Sequence, residues 1–250
     1  MAETTTTDIN TQTVMLAVAD GTTMPAYVAR PAQSGPRPGL LVLQEAFGVN
    51  AHIRDVAERF ARAGYTAIAP ALFHRTDAHF EGVYTDFPAV MPHMQGLTDV
   101  GQGADMQAAY DWLKSENGGG AQAVGSIGYC MGGRASFLAD ATLPLQASVS
   151  YYGDSIAAGP QPHFPDLLAR APDLHAPLLM FWGGKDTHIG AELSRAVEEA
   201  VRAAGKPYAQ VVFSEADHGF FCDARESYNP EAAAQSWALT LAFLAAHLSA

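Results

Sequence analysis

Short apolar runs alternate with amphipathic segments along this chain, and that alternation most limits the folds open to it. The run at 39–44, GLLVLQ, is apolar up to its last residue, as expected of a strand buried on both faces of a sheet. An opening strand pair at 13–19 and 24–29 flanks a turn at Asp20-Gly21. Further strands are predicted at 65–72, 123–129, 146–153, 177–184 and 208–216, and helices at 51–63, 99–115, 131–140, 190–205 and 230–248.

This order of elements predicts an α/β protein with a doubly wound, mostly parallel sheet and helices on both faces, because strands that alternate with helices form right-handed βαβ crossovers. We expect a single domain at 13–250, preceded by a loose, Thr-rich segment at 1–12. The stretch 76–98 contains Pro88 and Pro92 and follows neither periodicity. We expect a loop or short-helix excursion there, of the kind that often borders a site.

Composition and charge exclude several classes of partner. The chain has 250 residues, with 14 Lys and Arg against 26 Asp and Glu, and a formal net charge of −12 at pH 7. Nucleic acids and anionic membranes bind basic surfaces, so we expect neither as a partner. No apolar run approaches the roughly 18 residues of a membrane span. The first residues also lack an export signal, so we expect a cytoplasmic protein, either a monomer or a small homo-oligomer.

The most specific motif is G-x-C-x-G, in Gly128-Tyr129-Cys130-Met131-Gly132, between a predicted buried strand and a predicted helix. The same layout with serine is the nucleophile elbow of α/β-hydrolases, where small residues let the chain make a tight, strained turn. The helix N-terminus favours a thiolate at Cys130, and the amide of Met131 is expected to face a developing oxyanion. A buried structural cysteine would not need the two glycines, and the segment lacks the Gly-Lys-Ser/Thr of a P-loop.

Partners for this cysteine follow later strands, as the chain order of nucleophile, acid and histidine requires. His218 follows the last predicted strand, and Asp186 lies just beyond the carboxyl end of the strand at 177–184. Asp154 is the second choice for the acid, and we interpret His188 as a surface residue. The acid would orient the histidine and stabilise its imidazolium form, which pairs with the thiolate.

Glu45 is a further candidate, because it ends the buried run at 39–44 and a carboxylate there is costly without a partner. It is expected either to lie beside Cys130 or to be a solvent-exposed residue at the strand end. In α/β-hydrolases the loop after this strand supplies a second oxyanion N–H, which here is expected from Ala46.

Five motifs in order resemble the dienelactone hydrolase family, from about residue 13 to the end of the chain. They are the segments QEAFGVN at 44–50, GYCMGG at 128–133, YYG at 151–153, GGKD at 183–186 and HGF at 218–220. The resemblance implies an α/β-hydrolase fold, a Cys130/His218/Asp186 triad, and a glutamate, Glu45, that pairs with the cysteine before substrate arrives. It also implies hydrolysis of an unsaturated lactone or similar ester through a thioester, with no metal and no organic cofactor.

The substrate pocket is less defined by the sequence. The resemblance implies Tyr152 as a pocket tyrosine, and Phe47, Tyr84 and Phe220 suggest apolar walls. Family members that bind the dienelactone carboxylate use arginines, one of them a few residues after the histidine. Here the first arginine after His218 is Arg225, and 76–98 contains no Arg or Lys. The natural substrate therefore stays open.

Two functions outside this class are retained as alternatives. One is a non-catalytic ligand-binding protein with the same fold, which predicts that a triad member is missing. The other is a thiol redox protein, which predicts that Cys130 and Cys222 lie within disulfide distance.

Overall fold

The computed structural model describes residues 7–159 and 164–248. Within them, eight strands form one sheet in the order β1-β2-β4-β3-β5-β6-β7-β8. The strands are β1 (Ile9–Ala17), β2 (Thr23–Pro31), β3 (Gly39–Leu43), β4 (Thr66–Pro70), β5 (Val124–Tyr129), β6 (Ala147–Tyr151), β7 (Leu178–Gly183) and β8 (Tyr208–Phe213). The helices are α1 (Ala51–Arg62), α2 (His74–Asp77), α3 (Phe87–Gln95), α4 (Asp99–Lys114), α5 (Met131–Asp140), α6 (Ala191–Ala203) and α7 (Pro230–His247).

The sheet is parallel from β4 through β3, β5, β6 and β7 to β8, and the strands β1 and β2 add antiparallel pairs at one edge. Every residue of β3, β4, β5, β6 and β7 is buried, as strands covered on both faces must be. The predicted α/β architecture is confirmed. The carboxyl ends of β3, β5, β6 and β7 lie along the same edge of the sheet, where open α/β folds place their sites.

The sheet begins earlier in the chain than the sequence predicted. Strand β1 starts at Ile9, which pairs with Pro31, so residues 9–12 of the expected loose segment lie in a strand. Most of these residues are polar, and the sequence therefore predicts no strand for them. They lie in a strand because an edge strand tolerates exposed polar side chains. Residues 1–6 of that segment lie outside the described residues.

The predicted excursion contains one helix, α3, and the last two residues of α2. In α3, Asp86 caps the N-terminus through the amide of Ala89, and Pro88 lies in the first turn, where proline is tolerated. Pro92 lies inside this short helix. A further 3₁₀ helix at Leu168–Asp173 falls in a stretch to which the sequence assigned no element. No helix in the described ranges is long and apolar enough to cross a bilayer.

Candidate active site

Cys130 lies on a strained turn between β5 and α5. Its φ is 55° and its ψ is −120°, a conformation that non-glycine residues rarely adopt. The glycines on either side make the turn possible: a Cβ at Gly128 would lie 1.8 Å from the carbonyl oxygen of Gly132. Cys130 is 8% exposed. The strain at a nearly buried thiol is what a nucleophile elbow requires.

The start of α5 is also pressed against the end of β3. A Cβ at Gly132 would lie 2.2 Å from the carbonyl oxygen of Leu43, so this close approach depends on glycine. The approach brings the segment with Glu45 and Ala46 to the N-terminus of α5. Met131 is the first residue of that helix, where an amide N–H has no acceptor within the helix. The two predicted oxyanion donors, Ala46 and Met131, therefore belong to adjoining segments.

His218 and Asp186 form the predicted pair beside this cysteine. Nδ1 of His218 lies 2.9 Å from Oδ2 of Asp186, and the other carboxylate oxygen, Oδ1, accepts the backbone N–H groups of His188 (2.8 Å) and Ile189 (2.7 Å). Cys130 interacts electrostatically with the same imidazole. The structure thus brings His218 and Asp186 into contact and places Cys130 beside them.

The electrostatics of the pair favour an imidazolium. Burial disfavours the charged ring, but the electrostatic interaction with Cys130 and the hydrogen bond with Asp186 outweigh burial and raise the pKa of His218. Burial works to raise the pKa of Asp186, yet the hydrogen bond and charge of His218 and two backbone amides hold it below its usual value. These interactions favour an imidazolium at His218, supported by the carboxylate of Asp186.

Glu45 is fully buried, and its partner is an arginine. Oε1 of Glu45 accepts from Nη1 of Arg225 at 3.2 Å, and within the described residues Oε2 has no hydrogen-bond partner. No hydrogen bond between Glu45 and Cys130 is present among the described residues, so the pairing that the resemblance implies stays a prediction. The alternative of a solvent-exposed strand end is wrong.

Arg225 is the site residue that sequence reasoning did not propose. Its guanidinium lies 5.8 Å from the ring centroid of Phe47 and 5.7 Å from that of Tyr84. A Cβ at Gly219 would lie 2.4 Å from Nη1 of Arg225, so the loop after His218 folds back on itself. The signal available in the sequence was this glycine, which at φ 79° allows the turn.

The four predicted pocket residues divide into two groups. Phe47 and Tyr84 pack edge to face at 4.6 Å and lie beneath Arg225. Tyr152 packs against the ring of His218 at 5.1 Å, and its buried hydroxyl has no hydrogen-bond partner among the described residues. Phe220 is fully buried against Tyr152, and its role as a pocket wall stays a prediction.

Cys222 is a free, buried thiol, and Cys130 is free as well. Sγ of Cys222 donates to the hydroxyl of Tyr84 at 3.2 Å. Burial and the charge of Glu45 raise the pKa of Cys222 to about 11, so its thiol stays protonated at neutral pH. These contacts give no support to the redox alternative.

One group of side chains has the donor types of a metal site. The ligand atoms of Glu45, His52 and Cys222 all lie within 4.8 Å of one another. Carboxylate, imidazole and thiolate suit Zn²⁺. However, the guanidinium of Arg225 already neutralises Glu45 and opposes a second cation, so we assign no metal here.

The fold and this arrangement together define a hydrolase-class protein with an α/β-hydrolase fold and a cysteine at its nucleophile elbow. The family can be named as well. The chain belongs to the dienelactone hydrolase family, whose model matches residues 24–248. The family and the fold predicted from the sequence are both confirmed.

Individual relatives agree with this assignment. The "Putative carboxymethylenebutenolidase" of Escherichia coli (strain K12) is 38% identical over 230 residues, covering 88% of this chain and 81% of that protein. The crystal structure of a "Putative Dienelactone Hydrolase" from Klebsiella pneumoniae subsp. pneumoniae MGH 78578 has a TM-score of 0.86 and 34% identity, covering 95% of this chain and 99% of the other. A "Probable 2-oxo-3-(5-oxofuran-2-ylidene)propanoate lactonase" of Bradyrhizobium sp is 28% identical over 231 residues, covering 89% of each.

Proposed function

We propose that this protein hydrolyses small carboxylic esters or lactones through an acyl-enzyme on Cys130. The observation that carries the proposal is the strained Cys130 beside the imidazole of His218, whose Nδ1 is held by the buried carboxylate of Asp186. Names of relatives that specify a lactonase and a carboxymethylenebutenolidase support the same class. A cytoplasmic location and a monomeric or small homo-oligomeric state stay predictions.

In the acylation half-reaction, the thiolate of Cys130 attacks the carbonyl carbon of the substrate. The carbonyl oxygen becomes an oxyanion that accepts the N–H groups of Met131 and Ala46. As the tetrahedral intermediate collapses, the C–O bond to the leaving oxygen breaks and His218 donates its proton to that oxygen. A thioester remains on Cys130; with a lactone substrate, the leaving hydroxyl stays attached to the acyl chain.

In the deacylation half-reaction, neutral His218 takes a proton from water, and the resulting hydroxide attacks the thioester carbon. Collapse breaks the C–S bond and releases a carboxylic acid, which then loses its own proton to solvent. The thiolate and the imidazolium are restored, so the cycle is balanced without an external acid or base. Asp186 keeps its position throughout, and its charge stabilises each imidazolium state.

Arg225 supports a substrate that carries its own carboxylate. A guanidinium presents paired donors that match a carboxylate, and the side chain of this one is mostly buried, where such a contact is worth more than in water. Its present partner, Glu45, keeps one oxygen to which no described residue donates a hydrogen bond. We infer that a substrate carboxylate competes with Glu45 for Arg225.

The decisive test compares wild type with Cys130→Ala on p-nitrophenyl acetate and on an unsaturated lactone. We expect Cys130→Ala to lower kcat by at least about 10³-fold, as loss of a covalent nucleophile does. Mass spectrometry of wild type with p-nitrophenyl acetate should find one acetyl group on Cys130.

Cys222→Ala is the matched control, since it removes the other thiol of the chain. We expect its kcat to stay within about threefold of wild type, as a buried cysteine behaves mainly as a small apolar residue. Equal rates for wild type and Cys130→Ala, or acetylation only at Cys222, would contradict the proposal.

A further inference from the structure

A second carboxylate–imidazole pair lies beside the first. Oδ1 of Asp154, in the loop after β6, is 3.3 Å from Nε2 of His188, in the loop after β7. The Asp154 side chain is 11% exposed, whereas that of His188 is 49% exposed. The sequence had treated Asp154 as a second choice for the triad acid and His188 as a surface residue.

Three contacts connect this second pair to the proposed catalytic residues. The backbone N–H of His188 donates to Oδ1 of Asp186 at 2.8 Å. The ring of His188 packs edge to face on the ring of His218, with centroids 5.2 Å apart. The backbone N–H of Asp154 donates to the carbonyl oxygen of Cys130 at 3.2 Å. The pair therefore contacts every member of the Cys130, His218, Asp186 set.

The loop that carries Asp154 is strained on both sides of it. Tyr152 has φ 37° and Ser155 has φ 60°; with Cys130, they make up the non-glycine residues of positive φ in the described part of the chain. Such conformations persist only where surrounding contacts hold them, and they concentrate at functional sites. Here Nε of the buried Arg134 donates to the carbonyl oxygen of Ser155 at 3.2 Å. This loop thus shares its type of backbone strain with the nucleophile elbow.

The charges of the second pair act on His218. Burial works to raise the pKa of Asp154, but the hydrogen bond of His188 and the charges of His188 and His218 outweigh burial and hold this pKa low. The hydrogen bond to Asp154 raises the pKa of His188 against the effect of burial. The titratable groups that face His218 are Cys130 from the elbow, Asp186 and His188 from one loop, and Tyr152 and Asp154 from another; on its own loop, Oδ1 of Asp217 accepts the backbone N–H of His218 at 2.6 Å.

We propose that Asp154 is a second positioning carboxylate for His218, held in place by His188, and that its charge adds to that of Asp186 in favouring the imidazolium. The inference rests on the proposed function, since it assumes that His218 works as an imidazolium beside Cys130. Above the pKa of His188, that ring is neutral and the charge of Asp154 acts on His218 without compensation. Below it, the His188 proton offsets the charge.

The test measures alkylation of Cys130 by iodoacetamide as a function of pH, in a Cys222→Ala background so that all label is on Cys130. Thiolate reactivity does not depend on any substrate, so this readout survives failure of the proposed hydrolysis. Removal of the nearby negative charge in Asp154→Asn should move the upper transition, which reports loss of the His218 proton, to lower pH by about half a unit to one unit. His188→Ala should move it in the same direction, by no more than Asp154→Asn does.

Glu215→Gln is the matched control, since it removes one negative charge from the same edge of the sheet at an exposed site, where Glu215 pairs with Lys185. We expect no shift from it, because solvent screens an exposed charge. An unmoved transition in Asp154→Asn, or an equal shift in Glu215→Gln, would overturn the inference. An unmoved transition in His188→Ala would overturn the part assigned to His188.

A double-mutant comparison with Asp186→Asn adds a second readout, the kcat of ester hydrolysis. If Asp154 supports the imidazolium, Asp154→Asn should lower kcat more in the Asp186→Asn background than in wild type, by a further factor of about three to ten. A merely structural role predicts the same factor in both backgrounds and no change in pH profile. Failure of hydrolysis in wild type, together with a shifted alkylation profile, would reject the proposed function while leaving this inference standing.

Discussion

The two sides of Cys130 differ in how completely their polar groups are hydrogen-bonded. On the imidazole side, which we define as His218 and Asp186, the carboxylate accepts the imidazole and two backbone amides. On the arginine side, defined as Glu45, Arg225 and His52, Oε2 of Glu45 and both ring nitrogens of His52 have no hydrogen-bond partner among the described residues. The side chains of both sides are mostly buried, and that of Arg225 is the most exposed of them, at 20%.

This difference matches the tasks proposed for the two sides. Proton transfer needs donors and acceptors fixed in advance, because reorganisation during the reaction adds to the barrier. A substrate-binding side gains from unsatisfied groups that a ligand can pair with, since an unpaired buried polar atom costs free energy until it finds a partner. The polar groups of the imidazole side therefore have their hydrogen-bond partners before substrate binds, whereas those of the arginine side do not.

The largest expected effect comes from breaking the imidazole side with Asp186→Asn. An amide keeps the shape but removes the charge that stabilises the imidazolium and orients its ring, so kcat should fall by about 10³-fold. Steady-state kinetics on p-nitrophenyl acetate measures it. Asp173→Asn, which removes an exposed carboxylate paired with Arg170, is the control and should leave kcat unchanged. A loss below tenfold would mean that Asp186 is not the supporting acid.

A smaller effect is expected from breaking the arginine side with Arg225→Met. On a carboxylate-bearing lactone, kcat/KM should fall by about 10–100-fold through a higher KM, because a charge-assisted contact is lost. A neutral ester should lose less. The variant should also unfold more easily, by about 3 kcal/mol, since the buried Glu45 loses its counter-ion.

The control for this variant is Arg54→Met, which removes an arginine from a half-exposed ion pair with Glu81. It should change neither the preference for charged substrates nor the free energy of unfolding by more than about 1 kcal/mol. If Arg225→Met slows the neutral and the charged substrate equally, the two sides do not divide catalysis and binding as proposed.

The smallest expected effect is a pH dependence that separates the two sides. His218 has a raised pKa, so its imidazolium is retained as pH rises past the usual 6.5 and is lost only as pH passes the raised value. Arg225 does not titrate in this range. We therefore expect kcat/KM to stay level within about twofold from pH 7 to 8.5 and to fall only at higher pH.

The same profile in Asp186→Asn provides the comparison. Loss of the carboxylate lowers the pKa of His218, so the alkaline decline should begin at lower pH than in wild type. An inflection near pH 6.5 in the wild-type protein would show that Cys130 and Asp186 do not hold the imidazolium as described.

The sequence predicted the imidazole side far better than the arginine side, for a physical reason. Cys130, Asp186 and His218 each follow a strand of a parallel sheet, so the alternation of elements alone places them along one edge. Arg225 lies on a loop that folds back, and its partner Glu45 is 180 positions away in the chain. No pairing of strands fixes this contact. No local periodicity encodes such a contact.

The second pair and the first strand show the same limit. The sequence predicts His188 as a surface residue, and half of its side chain is indeed exposed. Its contact with Asp154 depends on the fold, which brings two separate loops together. Strand β1 was placed too late because its polar residues face solvent at an edge of the sheet. Sequence patterns predict which residues are buried, whereas contacts between loops depend on how the whole sheet is assembled.

The folded-back loop from His218 to Arg225 has a consequence for which molecules fit. The proposed proton donor and the proposed anchor sit at the two ends of one segment, whose turn at Gly219 leaves no space for a side chain. The segment therefore fixes the distance between the proposed proton donor and the proposed anchor. That distance limits how far the scissile bond of a substrate can lie from its carboxylate. Relatives that insert or delete a residue in this segment should accept longer or shorter acids, with the cleavage chemistry retained.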